Sequence, residues 1–314
     1  MYRSMDFSII VTTYNGSKYL VEQLDSLRLQ TRTPLEVCIF DDKSTDGTQA
    51  LAQSYIKRYE LSWKFTENDQ NLGWKKNYLL NIPRTQGEVV FLCDQDDIWL
   101  PAKCELMMEV MESHPDCNVL LSNYYPYVMP GGPPVSRRSR NHSDNRTVRK
   151  VQPTMKTMQA TLRPGCTYCI RRNFFDFIFS KWNGELSHDG FLFYMGLLTD
   201  STYLFSYRSI RFRRHTDNNS PLIQITVKGL MHNIGQIERL MEFHEQYLDS
   251  HAKADTPIKR NLITRIRRGC KLRYRFLDKP SLLLALQLVV CNHALYLSPK
   301  AMVRDIRLAY RLLK

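Results

Sequence analysis

Residues 91–101 read FLCDQDDIWLP. An apolar run ends in three carboxylates within four positions, Asp94, Asp96 and Asp97. Like charges this close repel one another, and a buried carboxylate is costly unless something pairs with it. No Lys or Arg is nearby until Lys103. The cluster therefore wants a cation. Mg²⁺ or Mn²⁺ would suit it, because hard cations prefer oxygen ligands and often keep substrate phosphates as the rest of their shell.

Other polar groups recur at comparable places. Thr12-Thr13-Tyr14-Asn15 ends one apolar run, Asp41-Asp42 a second, and Asn68-Asp69 follows a third. In open α/β sheets, ligands bind at the carboxyl ends of the strands. Turn-forming preference explains Asp46-Gly47 but not four acids crowding one rim. The turn after the first run reads TYNGSKY, without the glycines that let helix amides approach a pyrophosphate, and no P-loop is present. The expectation is a divalent metal, carrying a diphosphate, at an acidic rim.

The elements that must build this rim are legible over the first 125 residues. Runs at 7–14, 35–40, 61–65, 88–93 and 118–122 are short, apolar and rich in β-branched or aromatic residues, as buried strands are. Helices are expected between them. In 17–30, Leu20, Leu24 and Leu27 share one face; 46–59 starts with Asp46 as its cap; Pro101 suits the first turn of 101–113. This alternation predicts a parallel, doubly wound α/β sheet. Residues 126–158 are rich in Pro, Gly and Arg and predict a long loop, either a solvated connector or an acceptor lid. A helix is expected over 222–249. The expected divisions are 1–125, 126–225 and a helical, basic extension at 226–314.

The net charge of +13 is concentrated at one end. Residues 256–314 hold fourteen Lys and Arg against Asp278 and Asp305. A basic, partly amphipathic segment followed by the apolar stretch 281–297 reads as an element for an anionic membrane surface. That stretch is short of a span and is interrupted by Gln287, Asn292 and His293. Of eight cysteines, only Cys166 and Cys169 form a C-x-x-C, so reduced thiols are expected rather than a zinc site. No signal-peptide pattern is evident, and a cytoplasmic location is expected, peripheral on the inner face of the membrane.

The blocks SIIVTTYNG, FDDKSTDGT, NLGWKKN and FLCDQDDIWLP, in this order and spacing, resemble the family 2 glycosyltransferases, inverting enzymes of the GT-A fold. With GCTYCIRR, HDGFL and RRHTDNNS further on, the chain is most similar to the rhamnosyltransferase-like subgroup. The resemblance covers residues 7–220. It implies a nucleoside-diphosphate sugar donor, with Thr12 and Tyr14 lining the nucleobase pocket, Asp41 bonding the base and Asp42 near the ribose. Asp94 and Asp96 form the implied D-x-D pair, with Asp96, Asp94 and His215 at the metal. Asp97 orients the following turn, Asp189 is the catalytic base, and Cys166, Thr167 and His188 lie on the acceptor side. His188 is expected to orient Asp189, and Arg213 or Arg214 to help electrostatically. Lys75 and Lys76 either touch phosphate or are solvated. The implied acceptor is a saccharide or lipid-linked saccharide. The implied reaction moves one sugar, rhamnose from dTDP-rhamnose being the first choice, in cell-surface polysaccharide biosynthesis. Gly190 stands where relatives commonly carry Trp, and no Q-x-x-R-W block is present, which disfavours a processive synthase.

Two rival classes are weaker. A sugar nucleotidyltransferase would want a Gly-rich activating loop near the start of the chain, and none is found. A nucleic-acid-binding protein is suggested by charge alone, without a recognisable signature, so no nucleic-acid partner is expected.

Overall fold

Strand β1 (Phe7–Thr13) carries FSIIVTT and is buried along almost its whole length, as a strand covered on both faces must be. It lies at the centre of a parallel set with β2 (Glu36–Asp41), β3 (Lys64–Glu67) and β4 (Val89–Asp94). The computed structural model describes residues 4–135, 142–216, 226–292, 296 and 299–311. Among the described residues the sheet has nine strands in the order β3-β2-β1-β4-β8-β6-β9-β5, with β7 also paired to β9.

The helices between the parallel strands are α1 (Ser17–Arg28), α2 (Thr48–Arg58), α3 (Trp74–Asn81) and α4 (Lys103–Ser113). Leu20, Leu24 and Leu27 of α1 are buried in the main core, beside Val11, Ile39 and Phe91. Asp46 does more than begin α2. Its Oδ1 accepts from Thr48 N at 3.1 Å, and its Oδ2 accepts from Ser17 N at 3.0 Å at the start of α1. Burial raises its pKa, but bonds from Thr48 and Ser17 prevail and hold it at about 2. The third strand lies about two residues later than expected, and Pro101 precedes α4 rather than starting it.

Beyond residue 125 the chain is more strand-rich than its sequence suggests. β6 (Val119–Val128) pairs in parallel with β9 (Thr202–Arg214), with irregular register at Asn123. The short β8 (Tyr168–Arg171) runs antiparallel between β4 and β6. β5 (Ile98–Trp99) and β7 (Val148–Lys150) pair antiparallel with β9. The expected 126–158 loop is therefore partly sheet. Residues 142–144 are also tied down: Arg208 donates to His142 O, and Tyr125 Oη to Asp144 at 2.7 Å. Residues 136–141, within the same expected loop, lie outside the described residues. Helices α5 (Arg172–Phe179) and α6 (His188–Leu198) follow β8.

The chain divides into two compact units: Met1–Val151 with Arg163–Gly196 and Ser201–Asn218, and Gln152–Leu162 with Leu197–Asp200 and Asn219–Lys314. The second is helical. It contains α7 (Val227–Ser250), α8 (Pro257–Asp278), α9 (Leu282–Asn292) and α10 (Pro299–Arg311). Thr226 caps α7 and Thr256 caps α8, where Pro257 fills the first turn. The buried Lys259 ammonium donates to Leu198 O, Asp200 Oδ2 and Ala254 O at 2.7–3.0 Å. A small core gathers Phe276, Ala285, Leu288, Tyr296 and Ala309. Residues 222–225 of the expected 222–249 helix lie outside the described residues.

Candidate active site

Parallel register brings the polar strand ends together. Thr13 stands opposite Asp41, and Thr12 opposite Asp94, so the ends of β1, β2 and β4 form one rim. Asp94 accepts a hydrogen bond from Tyr78 Oη at 2.7 Å, and the Thr12 hydroxyl also bonds that phenol. Burial pushes the Asp94 carboxyl above the usual range, and neighbouring Asp96 adds to this.

Asp96 and Asp97 are separated by the strands that follow. Pairing of β5 with β9 sets Asp97 against Arg213, whose amide donates to Asp97 Oδ1 at 2.9 Å. Two residues on, His215 falls on the same side and its Nε2 lies 2.9 Å from Asp96 Oδ2. The buried Arg213 guanidinium donates to Asp96 O at 2.6 Å and to Glu22. It also lies over the rings of Tyr19 and Tyr127, so its part is to hold the turn. Arg214 lies over Phe212. Asp97 is fully buried, and desolvation, with Asp96 and Asp94 nearby, drives its carboxyl well up.

One buried cation answers part of the acidic crowding. Lys103 Nζ donates to Cys166 O at 2.8 Å and sits 3.6 Å from the centre of the Trp99 ring. Burial pulls its pKa down, while the surrounding thiols and Asp97 act to raise it.

Two donor sets could be considered for a metal. Asp94, Asp97 and Cys166 offer atoms within 4.8 Å of one another. That set is a poor fit to a hard cation: it includes a thiol whose pKa burial pushes far up, and an Asp97 already bonded to Arg213. Asp96 with His215 suits a hard cation better in donor type, and Asp96 keeps 19% of its side chain exposed, but among the described residues these two and Asp94 do not gather as closely as the first set.

The nucleotide side shows a difference from expectation. Asp41 is fully buried and accepts from Thr13 Oγ1, Ser44 N, Ser44 Oγ and Gln49 Nε2 at 2.6–2.9 Å. Asp42 accepts from Asn68 Nδ2, Leu72 N and Gly73 N at 2.7–2.9 Å. Both hold the loops around the rim; the four acceptor sites of Asp41 are filled, so a base reaching it must replace a donor, whereas Asp42 Oδ2 takes only the Gly73 amide and keeps a site. Tyr14 is 48% exposed at the rim, as a pocket wall requires. Lys75 and Lys76 are exposed, and Lys75 lies beside the Trp74 ring.

Gln95, the middle residue of D-x-D, had no signal of its own. Its Oε1 accepts from Tyr14 N at 2.8 Å and its Nε2 donates to Tyr14 O at 3.0 Å. A Cβ on Gly16 would stand 2.1 Å from Gln95 Oε1, so only glycine lets this clasp close. Asn15, between them, has a φ of 47°.

Across the rim, β8 is preceded by the 3₁₀ turn Gly165–Thr167, which its antiparallel pairing places just past Asp94. Cys166 and Thr167 are fully buried, and Thr167 Oγ1 donates to Pro164 O at 2.8 Å. Neither side chain is exposed in this structure. Asp189 lies in the first turn of α6, which Ser187 caps: its Oγ accepts from Gly190 N at 3.2 Å, and its O from Phe191 N at 2.8 Å. The Ser187 hydroxyl also donates to Asp189 Oδ1. Ser187 therefore orients Asp189, the part expected of His188. His188 turns the other way. Its ring packs 4.4 Å from that of Tyr78, and its charge lowers the pKa of Asp94. Asp94, Tyr78, His188 and Asp189 thus form a continuous path from the acidic rim to the start of α6.

The sequence model described as Glycosyl transferase family 2 matches residues 8–179. The chain belongs to that family. Among curated proteins it is 38% identical over 96 residues to the poly(ribitol-phosphate) β-N-acetylglucosaminyltransferase TarS of Staphylococcus aureus. That match covers 30% of this chain and 16% of TarS. It is 29% identical over 114 residues to the abequosyltransferase RfbV of Salmonella typhimurium, covering 36% of this chain and 34% of RfbV. The chain thus matches about a third of the length of RfbV and less of TarS. In fold, it is similar to the S. aureus TarS 1–349 structure in complex with UDP-GlcNAc, with a TM-score of 0.62 at 19% identity. The similarity covers 96% of this chain and 82% of that one. A mannosyltransferase of Pyrobaculum calidifontis in complex with GDP-Man and Mn²⁺ is also similar, with a TM-score of 0.50 at 17% identity, covering 98% and 85%. The fold of this family 2 chain is GT-A-like: a curled α/β sheet flanked by helices, with the acidic rim at the ends of its parallel strands.

Proposed function

We propose that the chain is an inverting glycosyltransferase that moves a single sugar from a nucleoside-diphosphate sugar to a saccharide or lipid-linked saccharide. The observation that carries this reading is the pairing of Asp96 with His215 beside Asp94, joined through Tyr78 and His188 to Asp189. Asp94, Asp96 and His215 would hold Mg²⁺ or Mn²⁺, which supplies positive charge against the leaving diphosphate. Thr12 and Tyr14 wall the base pocket, Gln95 fixes that wall to the D-x-D turn, and Asp41 and Asp42 hold the loops that frame it. Asp189, kept in one orientation by Ser187, takes the proton from the acceptor hydroxyl as its oxygen attacks the anomeric carbon.

Family membership and the donors held by similar structures support a nucleotide-sugar donor. The relatives differ in sugar, so dTDP-rhamnose is the first donor to test rather than a conclusion. The basic extension supports a place on the cytoplasmic face of a membrane, in assembly of a cell-surface polysaccharide. Among the described residues, no helix is long and apolar enough to cross a membrane.

Thermal shift against nucleoside diphosphates and nucleotide sugars, with and without Mn²⁺, tests the donor site, since a ligand of the folded state raises stability by mass action. One nucleotide stabilising the protein only with metal is the expected result. Asp189→Asn should abolish transfer and leave that stabilisation unchanged; loss of both together rejects Asp189 as the base.

A further inference from the structure

Helix α9 is apolar apart from Gln287 and Asn292, yet half of it faces outward. Ala285 and Leu288 are buried in the small core of the helical unit. Leu282, Leu283, Leu286 and Val290 are 79, 66, 58 and 64% exposed. At about 100° per residue these four share a stripe roughly 100° wide. A contiguous exposed apolar patch of this kind marks an interaction surface.

The neighbouring helix supplies the complementary observation. Arg265, Arg268, Lys271 and Arg275 of α8, with Lys279 just beyond it, are all exposed. Their spacings of 3, 3, 4 and 4 follow one helical face. Among the described residues, none of the five is in an ion pair, whereas Arg260, Arg267 and Arg273 are each bound to carboxylates. An anionic partner fits this stripe. A second copy of the chain would bring the same excess of positive charge against itself. A nucleic acid would leave the Leu and Val face of α9 without a partner. A bilayer with anionic headgroups accommodates both features. The 11 residues of α9 span about 16 Å, roughly half a hydrocarbon core, so the helix lies in the interface and does not cross it.

We infer that α9 inserts its Leu282, Leu283, Leu286 and Val290 face into the headgroup–acyl boundary of an anionic bilayer, while the basic stripe of α8 binds the headgroups. This rests on the membrane placement proposed above and specifies the element that makes it. It would bring the chain to the surface where a lipid-linked acceptor resides.

The test is co-sedimentation of the full chain with vesicles of phosphatidylcholine alone, or of phosphatidylcholine with phosphatidylglycerol. Binding is expected only to the anionic vesicles, and it should weaken with salt. The double variant Leu286→Glu/Val290→Glu should bind about tenfold or more weakly, with an unchanged melting temperature and nucleotide response. The triple variant Arg268→Gln/Lys271→Gln/Arg275→Gln should lose most of the salt dependence. If the Glu variant binds as the parent does, insertion is wrong and surface placement stands. If the parent binds neither vesicle, or binds duplex DNA instead, both are wrong. A dimer in sedimentation velocity that Leu286→Glu/Val290→Glu dissociates, without vesicle binding, assigns the face to a second copy and overturns the inference.

Discussion

Replacing Gly165 by alanine should stop transfer while sparing the nucleotide side. A Cβ there would stand 2.4 Å from His188 Nε2, 3.0 Å from His188 Cδ2 and 3.1 Å from Asp189 Cβ. Ordinary carbon contacts lie at about 3.5–4.0 Å, so the start of α6 must recede by roughly 1 Å. Neither neighbour can yield by rotating a loose side chain. His188 is wedged against Tyr78, and Asp189 Cβ belongs to a capped helical turn. A misplacement of about 1 Å at a reacting group costs on the order of 10²-fold in rate. Overpacking costs about 1–3 kcal/mol in stability. The assay pairs kcat, from nucleoside diphosphate release at saturating donor, with the Kd of that diphosphate by calorimetry. The expected result is kcat lower by about 100-fold, with Kd changed by less than about threefold. A folded variant that keeps its parental kcat would falsify the placement of Asp189 at the reacting centre.

The nucleotide side should respond differently. Gln95→Ala removes both bonds to Tyr14, each worth about 0.5–1.5 kcal/mol, and should raise the donor KM several-fold with kcat nearly unchanged. Gly16→Ala should do the same by forcing Gln95 aside; a fall in kcat alone would count against the clasp. In the helical unit, burial lowers the His244 pKa from 6.5 to about 3. The folded state then resists a proton that the unfolded chain accepts, so stability is full above pH 6.5 and falls as pH drops toward 3, by about 5 kcal/mol in all. Urea melts at pH 7.5 and pH 4.5 should show His244→Leu losing less stability on acidification than the parent; equal losses would refute this. Asp305 is fully buried and bonds Arg273 at 2.6 Å and Arg304 at 3.1 Å. Asp305→Ala should destabilise that unit by about 3 kcal/mol in chemical melts, because it leaves the mostly buried Arg273 unpaired, Arg304 being a third exposed; a loss below about 1 kcal/mol would show that water already screens both.

The first half of the fold was readable because its signals are local. β1, β2 and β4 are largely continuous apolar runs, and α1 carries the stripe Leu20, Leu24 and Leu27. The second half hides its strands. β8 is four residues long and β5 only two, and both exist because a distant strand pairs with them. No window of sequence contains that information. The same limit applies to the site. Carboxylates at strand ends were evident, but which were already bonded was not. Asp41 looks like Asp94 in sequence, and four donors from three other residues set it apart. Ser187 carried no signal of its own in the sequence, and here it caps the helix and orients Asp189 as well. Gly165 and Gly16 could only be understood once the side chains they make room for were placed.

The crowded acids of residues 94–97 can now be divided by what each one faces. Asp97 is turned inward, where the Arg213 amide and the nearby Lys103 ammonium oppose its charge, so it anchors the turn to β9. That anchoring decides the fate of Asp96. Because Arg213 holds Asp97 and also bonds the Asp96 carbonyl, the next residue on that side of the chain, His215, arrives beside the Asp96 carboxylate. Asp94 is held from the opposite side by Tyr78, whose ring also packs on His188. Asp97 Oδ2 is unpartnered but buried, so Asp96, still partly exposed, and Asp94 beside it are the carboxylates nearest to an incoming cation, and the repulsion between them remains in part uncompensated by the protein. A divalent ion arriving with a diphosphate would relieve it, because its positive charge would be shared between these two carboxylates and the phosphate oxygens. Donor and metal should therefore bind with positive coupling, each tightening the other by the same factor. Calorimetric titration of the diphosphate with and without Mn²⁺, and of Mn²⁺ with and without the diphosphate, closes that cycle. Independent affinities would mean that the rim does not hold the metal.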